Sequence, residues 1–143
     1  MDLVDNEPYR NAISKVYVSH SFNRGLKTGD ILVFYRSGGM YKGVATTIGI
    51  VENVITDIRT ESNLIELCHK RSVLSEVELK EYWDKYPKNR PFVINFLYAF
   101  SFKKRITLKE MLDSGVLPNM EAVKTISQIE RDAFTKLINL ARI

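Results

Sequence analysis

The run Lys15-Val-Tyr-Val-Ser-His-Ser21, then Leu26-Lys-Thr-Gly-Asp30 leading straight into Ile31-Leu-Val-Phe-Tyr-Arg36 and Ser37-Gly-Gly39, decides the reading of this chain. Glycine tolerates positive backbone angles and aspartate bonds to nearby main-chain amides, so Gly29-Asp30 makes a tight turn. The five apolar residues that follow are too few for a globular helix, and a buried strand starts at the turn. It ends on an aromatic and cationic pair, Tyr35-Arg36, and opens into a glycine-containing loop where a ligand would meet no bulky side chain.

Two further stretches read as strands. Gly43 to Ile55 is rich in β-branched residues, with Val44, Thr46, Ile48 and Ile50 on one face and Ala45, Thr47, Gly49 and Val51 on the other. Gly49 is the expected place for a bulge or bend. Phe92, Ile94, Phe96, Tyr98, Phe100 and Phe102 alternate with Val93, Asn95, Leu97, Ala99 and Ser101, and the aromatic face is read as a core face. Asn95 then needs hydrogen-bonding partners if the second face is covered as well.

The helices are marked by capping boxes, in which a Ser or Thr oxygen and a Glu three residues on satisfy each other's backbone donors. Ser75 with Glu78 starts a helix presenting Leu79, Tyr82, Trp83 and Tyr86, stopped by Pro87. Thr107 with Glu110 starts a short helix, with Ile106 and Met111 as a hydrophobic staple and Gly115 at its end. Ser127 with Glu130 starts the last, which buries Ile129, Phe134, Leu137, Ile138 and Ala141. A further helix covers about Thr60 to His69. Trp83 has the spacing of a core residue, while a Trp at a barrel mouth can also wall an aromatic cage.

The opening pattern resembles the PUA-like superfamily, which includes the PUA, EVE, ASCH and YTH domains, small mixed β-barrels of which many bind RNA or modified nucleobases. In the resemblance Val16-Tyr-Val-Ser19 is the first strand and Lys27-Thr-Gly-Asp30 introduces the second. It is similar to PUA-like domains appended to bacterial and archaeal acetyltransferases, and it extends over residues 14 to 142. The resemblance implies an α+β fold, a PUA-like mixed β-barrel with peripheral helices. It also implies a base pocket lined by the residues after the first strand, here Ser19, His20, Ser21 and Asn23. A fused or neighbouring acetyltransferase is an implied partner.

Length and composition agree with one such domain over residues 14–143, preceded by residues 1–13 as a flexible lead or linker remnant. A chain of 143 residues buries about two-thirds of the surface its unfolded form exposes, so no metal or disulfide staple is needed. With 45% hydrophobic and 27% charged residues it is an ordinary globular chain. Its net charge of +4 permits a polyanionic partner, although the pull of so mild a charge is screened by salt. Cys68 is the sole cysteine, so no intramolecular disulfide forms, and a reducing, cytoplasmic setting is expected. The first residues carry two acids and no apolar core, unlike a secretory signal. The longest apolar stretch, Phe92 to Phe102, is too short to span a bilayer, and no membrane role is expected.

Phosphate-binding loops of the G-x-x-x-x-G-K-[ST] kind, G-x-G-x-x-G, C-x-x-C and H-E-x-x-H are all absent from the sequence. Cys68 and His69 are neighbours on a helix, pointing about a hundred degrees apart, and are not placed to share a metal or act as a nucleophile and base. Neither a cofactor nor a metal is expected. His20-Ser21 is too short a spacing for a Ser-His dyad and lacks a third group. Both residues read instead as hydrogen-bonding groups for a base edge, as do Ser19 and Asn23; the alternative is that all four cap a helical turn before Gly25 and close the barrel end. Tyr35, Arg36 and Tyr41 suit base stacking and phosphate contact, and Ser37, Gly38 and Gly39 could offer N–H groups to an anion, unless this is a plain hairpin loop.

Two basic clusters flank the aromatic strand, Lys85, Lys88 and Arg90 before it and Lys103-Lys-Arg105 after it. Their inner ends lie roughly 40 Å apart if the strand is fully extended, so they are separate patches. An enzymatic alternative comes from the ASCH pattern G-x-K-x-x-E-x-R. Gly25, Lys27 and Asp30 match G-x-K-x-x-acid, but Asp replaces Glu and Leu32 stands where the Arg belongs, which removes a bidentate anion donor. The expectation is therefore a non-enzymatic module that recognises RNA, DNA or a modified nucleobase. An ASCH-like hydrolase of modified nucleosides and a regulatory protein-interaction domain stand as alternatives.

Overall fold

The computed structural model describes residues 14–69, 72 and 74–141; the proposed lead at 1–13 lies outside them. Four strands form one antiparallel sheet in the order β1-β4-β3-β2, where β1 is Ser14–Ser19, β2 Ile31–Arg36, β3 Val44–Ile55 and β4 Phe92–Thr107. The β1–β4 register runs from Ser14 opposite Leu97 to Ser19 opposite Phe92. The expected strands at 31–35, 44–51 and 92–102 thus share one sheet. The helices are α1 Gly39–Lys42, α2 Glu61–Cys68, α3 Glu76–Lys85, α4 Leu108–Asp113 and α5 Arg131–Ala141, with a 3₁₀ turn at Met120–Val123.

The chain gathers into two compact units, one of residues up to Ile31 with Ile50–Tyr98, the other of Leu32–Gly49 with Ala99 onward. In the first, Val16 and Val18 of β1 and Val93 of β4 are buried with Leu64 and Cys68 of α2 and Leu79 and Trp83 of α3. Trp83 is therefore a core residue. Thr60 caps α2 by accepting from the Asn63 amide, and Ser75 and Glu78 form the capping box that starts α3. Asn95 is 7% exposed. Its Nδ2 donates to Asn53 Oδ1 at 2.6 Å, but its Oδ1 has no protein donor, so only half of the expected partnership is met.

In the second unit, Ala45, Ile48, Phe102, Ile106, Leu108, Met111, Leu137 and Ala141 form the core. Thr107 and Glu110 make the second capping box, and the staple residues Ile106 and Met111 are both buried. Helix α4 ends in a Schellman motif: Gly115, at φ +79°, donates to the Leu112 carbonyl and Val116 to that of Met111. The left-handed backbone at Gly115 is why glycine stands there.

Three expectations are corrected. The alternation of faces expected along β3 breaks at Thr46–Thr47. Adjacent side chains of a regular strand point to opposite faces, yet these two hydroxyls bond at 3.1 Å, and Ala45 and Ile48, three apart, enter the same core. Strand β4 runs through Lys103-Lys-Arg105 instead of ending before it. Phe102 and Ile106 on either side of the cations are buried and carry the strand onward. Ser127 does not cap the last helix: its hydroxyl donates to the Ala122 carbonyl at 2.7 Å, and α5 begins at Arg131, its first turn closed by the Phe134 amide on the Glu130 carbonyl.

Candidate nucleic-acid interface

The polar residues after β1 organise their own loop. The Ser21 amide donates to Ser19 Oγ at 3.0 Å, the Asn23 amide to Ser21 Oγ at 3.1 Å and the Gly25 amide to Asn23 Oδ1 at 3.3 Å. This ladder of side-chain turns is what Ser and Asn offer when no helix or sheet satisfies the backbone. It replaces the helical turn considered for this segment. Asp30 works the same way, its Oδ2 accepting from the Lys27 amide at 2.8 Å beside Gly29 at φ +92°.

His20 leaves the ladder and turns to α3. Its Nε2–H donates to the Tyr82 carbonyl at 2.7 Å, and its ring stacks on the Tyr82 ring and meets Tyr86 edge-on, with centroids 5.3 and 5.0 Å away. A carbonyl can only accept, so Nε2 carries the proton and Nδ1 of the neutral ring is an acceptor. Burial pushes the imidazole below its ordinary value. The Tyr82 carbonyl opposes this, while the charges of Lys85 and Arg24 add to it.

Arg24 is the hub of the same unit. Nε donates to the Ser21 carbonyl at 3.0 Å, and Nη2 to Asn89 Oδ1 at 2.8 Å and the Arg90 carbonyl at 2.9 Å. The guanidinium lies 4.6 Å from the centre of the Phe92 ring. Asn89 in turn donates to the His20 carbonyl at 2.9 Å. Arg90 sits 4.6 Å over the Trp83 ring and donates to the Trp83 carbonyl, and Lys85 lies 5.5 Å over Tyr86. Among the described residues neither guanidinium has a carboxylate partner. A guanidinium is a cation, so each holds a positive charge at a partly buried position that no carboxylate among the described residues balances.

The other predicted residues belong to the second unit. Tyr35 packs against its core, and its hydroxyl lies so close to Gly43 that a Cβ there would collide with it. Arg36, Ser37, Gly38 and Gly39 are exposed, and Tyr41 is 73% exposed on α1. The loop from Ser37 to Gly43 holds this helical turn and is not a plain hairpin loop.

Sequence reasoning missed Arg24 and Asn89 and saw Arg90 only as part of a charge run. The contacts of Arg24 span 65 and 66 residues of chain, and no local pattern announces them. Cys68 is buried in the core, and no cluster of metal-ligating side chains exists among the described residues. No helix among them is long and apolar enough to cross a membrane.

No protein-family model matches this chain, and no curated protein does. Among solved structures it is similar to a serine-to-alanine mutant of ZmASCH from Zymomonas mobilis, an ASCH domain of the PUA-like superfamily. The TM-score is 0.62 at 12% identity, covering 93% of this chain and 85% of that one. An identity so low carries the fold alone. The fold is α+β and PUA-like, of the kind seen in ASCH domains, as the resemblance of the first strands implied.

Proposed function

We propose that this chain is a recognition module that binds RNA, DNA or a modified nucleobase and performs no chemistry on it. The observation that carries the reading is the pair Arg24 and Arg90, each resting on an aromatic ring and donating to neutral oxygens with no carboxylate among the described residues. A phosphate supplies the missing charge, and a guanidinium is the donor suited to it. His20 supports the reading with a neutral ring whose Nδ1 can accept from a donor edge of a base. Recognition is preferred to hydrolysis because Asp30, the acid of the G-x-K-x-x-acid match, closes its own turn and Leu32 cannot hold an anion.

The test is a salt titration of binding to a fluorescent twelve-nucleotide single strand. Removing one phosphate-binding cation lowers the slope of log affinity against log salt by about one. Arg24→Gln and Arg90→Gln should each flatten it by that amount. Slopes equal to that of the native chain would remove these residues from the interface.

A further inference from the structure

Phe22 is 88% exposed, more than any other large apolar side chain among the described residues. A fraying loop would explain this, but the loop is tied on both sides of the ring. The Asn23 amide bonds back to Ser21 Oγ, the Ser21 amide to Ser19 Oγ, and Arg24 joins the Ser21 carbonyl to Asn89 and to the Arg90 carbonyl. The backbone that presents the phenyl ring has therefore already given up its conformational freedom, which is how a contact residue is preorganised.

What surrounds the ring selects its partner. Its sequence neighbours Ser21 and Asn23 are polar, so no apolar run of chain continues from the ring into a surface of the kind a protein core would cover. Two residues on is Arg24, with no carboxylate against it among the described residues. One apolar face two residues from a guanidinium that donates to neutral oxygens matches a nucleic-acid strand, whose bases offer π faces and whose backbone is anionic. Within a duplex both faces of each base are covered by its neighbours, so a side chain must first unstack a step to reach one, whereas an unpaired base offers its face without that cost.

We propose that Phe22 is a base-stacking residue that takes the face of an unpaired base, so that the module grips single-stranded in preference to paired nucleic acid. The assignment rests on the recognition reading above. It adds a residue and a substrate class that this reading does not contain.

The experiment compares native chain, Phe22→Ala and Phe22→Trp by fluorescence anisotropy on a labelled oligouridine or oligothymidine twelve-mer, on its duplex and on an abasic strand of equal length. Phe22→Ala should bind the single strand about 5- to 150-fold more weakly, the range of one stacked base, with an unchanged melting temperature. The loss should vanish on the abasic strand, which keeps the phosphates and lacks the faces. Phe22→Trp should bind at least as well as the native chain, and its added fluorescence, measured against the native background of Trp83, should be quenched by the strand.

Equal affinity of native and Phe22→Ala for the single strand would overturn the stacking role while leaving recognition standing. Equal losses on the normal and abasic strands would also overturn it. A native chain that binds no oligonucleotide would overturn recognition and stacking together. Concentration-dependent self-association that disappears in Phe22→Ala, without strand binding, would assign the ring to a protein interface and overturn the proposal.

Discussion

His20 lies flat on Tyr82, with ring planes 5° apart, and its Nε2–H donates to the main-chain carbonyl of the same residue at 2.7 Å. One residue of α3 thus fixes both the tilt and the tautomer of the imidazole. The ring is held in its neutral form, its proton affinity lowered chiefly by burial.

The lowered proton affinity makes stability depend on pH. With the folded value below the ordinary 6.5, the unfolded chain takes up the His20 proton first as pH falls, so stability present above about pH 6.5 is lost below it. Melting curves between pH 8 and 5 should show a decline that His20→Gln makes shallower. A decline of equal steepness in both chains would mean that His20 is not the group responsible.

Removing the ring should also affect recognition. His20→Ala deletes the Nδ1 acceptor and should cost about 1 to 3 kcal/mol of discrimination between bases, through a donor edge left unsatisfied. Affinities for homopolymeric strands of each base measure it, and an unchanged rank and spacing among them would take His20 out of base reading.

Arg36 tests the second unit independently. It is exposed and makes no hydrogen bond or ion pair among the described residues. Arg36→Glu should weaken oligonucleotide binding and flatten its salt dependence while the melting temperature barely moves. Unchanged affinity at low salt would remove Arg36 from any phosphate-binding role.

The cap candidates Thr107 and Ser127 should differ sharply. Thr107 Oγ1 accepts from the Glu110 amide at 3.1 Å, so Thr107→Ala should destabilise the fold by about 1 kcal/mol in urea unfolding. The Thr107 backbone amide holds the Glu110 carboxyl below its usual range, with Lys104 assisting and burial opposing. That contribution is present above about pH 4.5 and is lost as pH falls through the lower folded value. Ser127→Ala removes only a bond from an exposed hydroxyl to a carbonyl and should change stability by less than about 0.5 kcal/mol. Comparable losses at both positions would contradict the observed helix starts.

What could be read from the sequence follows the range of the interaction. The Gly29-Asp30 turn, the boxes at Ser75 and Thr107 and the glycine stop at Gly115 involve residues within a few positions of one another, and local chemistry specifies them. Ser127 shows the limit of such motifs, because a Ser-x-x-Glu pattern cannot tell a helix cap from a hydroxyl bonded five residues upstream. Charge misled at Lys103-Lys-Arg105, where solvated side chains cost a strand nothing so long as Phe102 and Ile106 remain buried. The candidate interface was half legible. His20 was singled out, but Arg24 completes its surroundings through hydrogen bonds to residues 65 and 66 positions away in the chain. Phe22 carries no motif, and only its exposure on a tied loop sets it apart.

The most direct test of the central claim is an amide chemical-shift titration of the ¹⁵N-labelled chain with a short single strand. The largest shifts should fall at the amides of residues 19–25 and 82–90, Pro87 having none, and saturate together with the side-chain signals of Arg24 and Arg90. A strand that binds and leaves those amides and side chains unmoved would contradict the assignment.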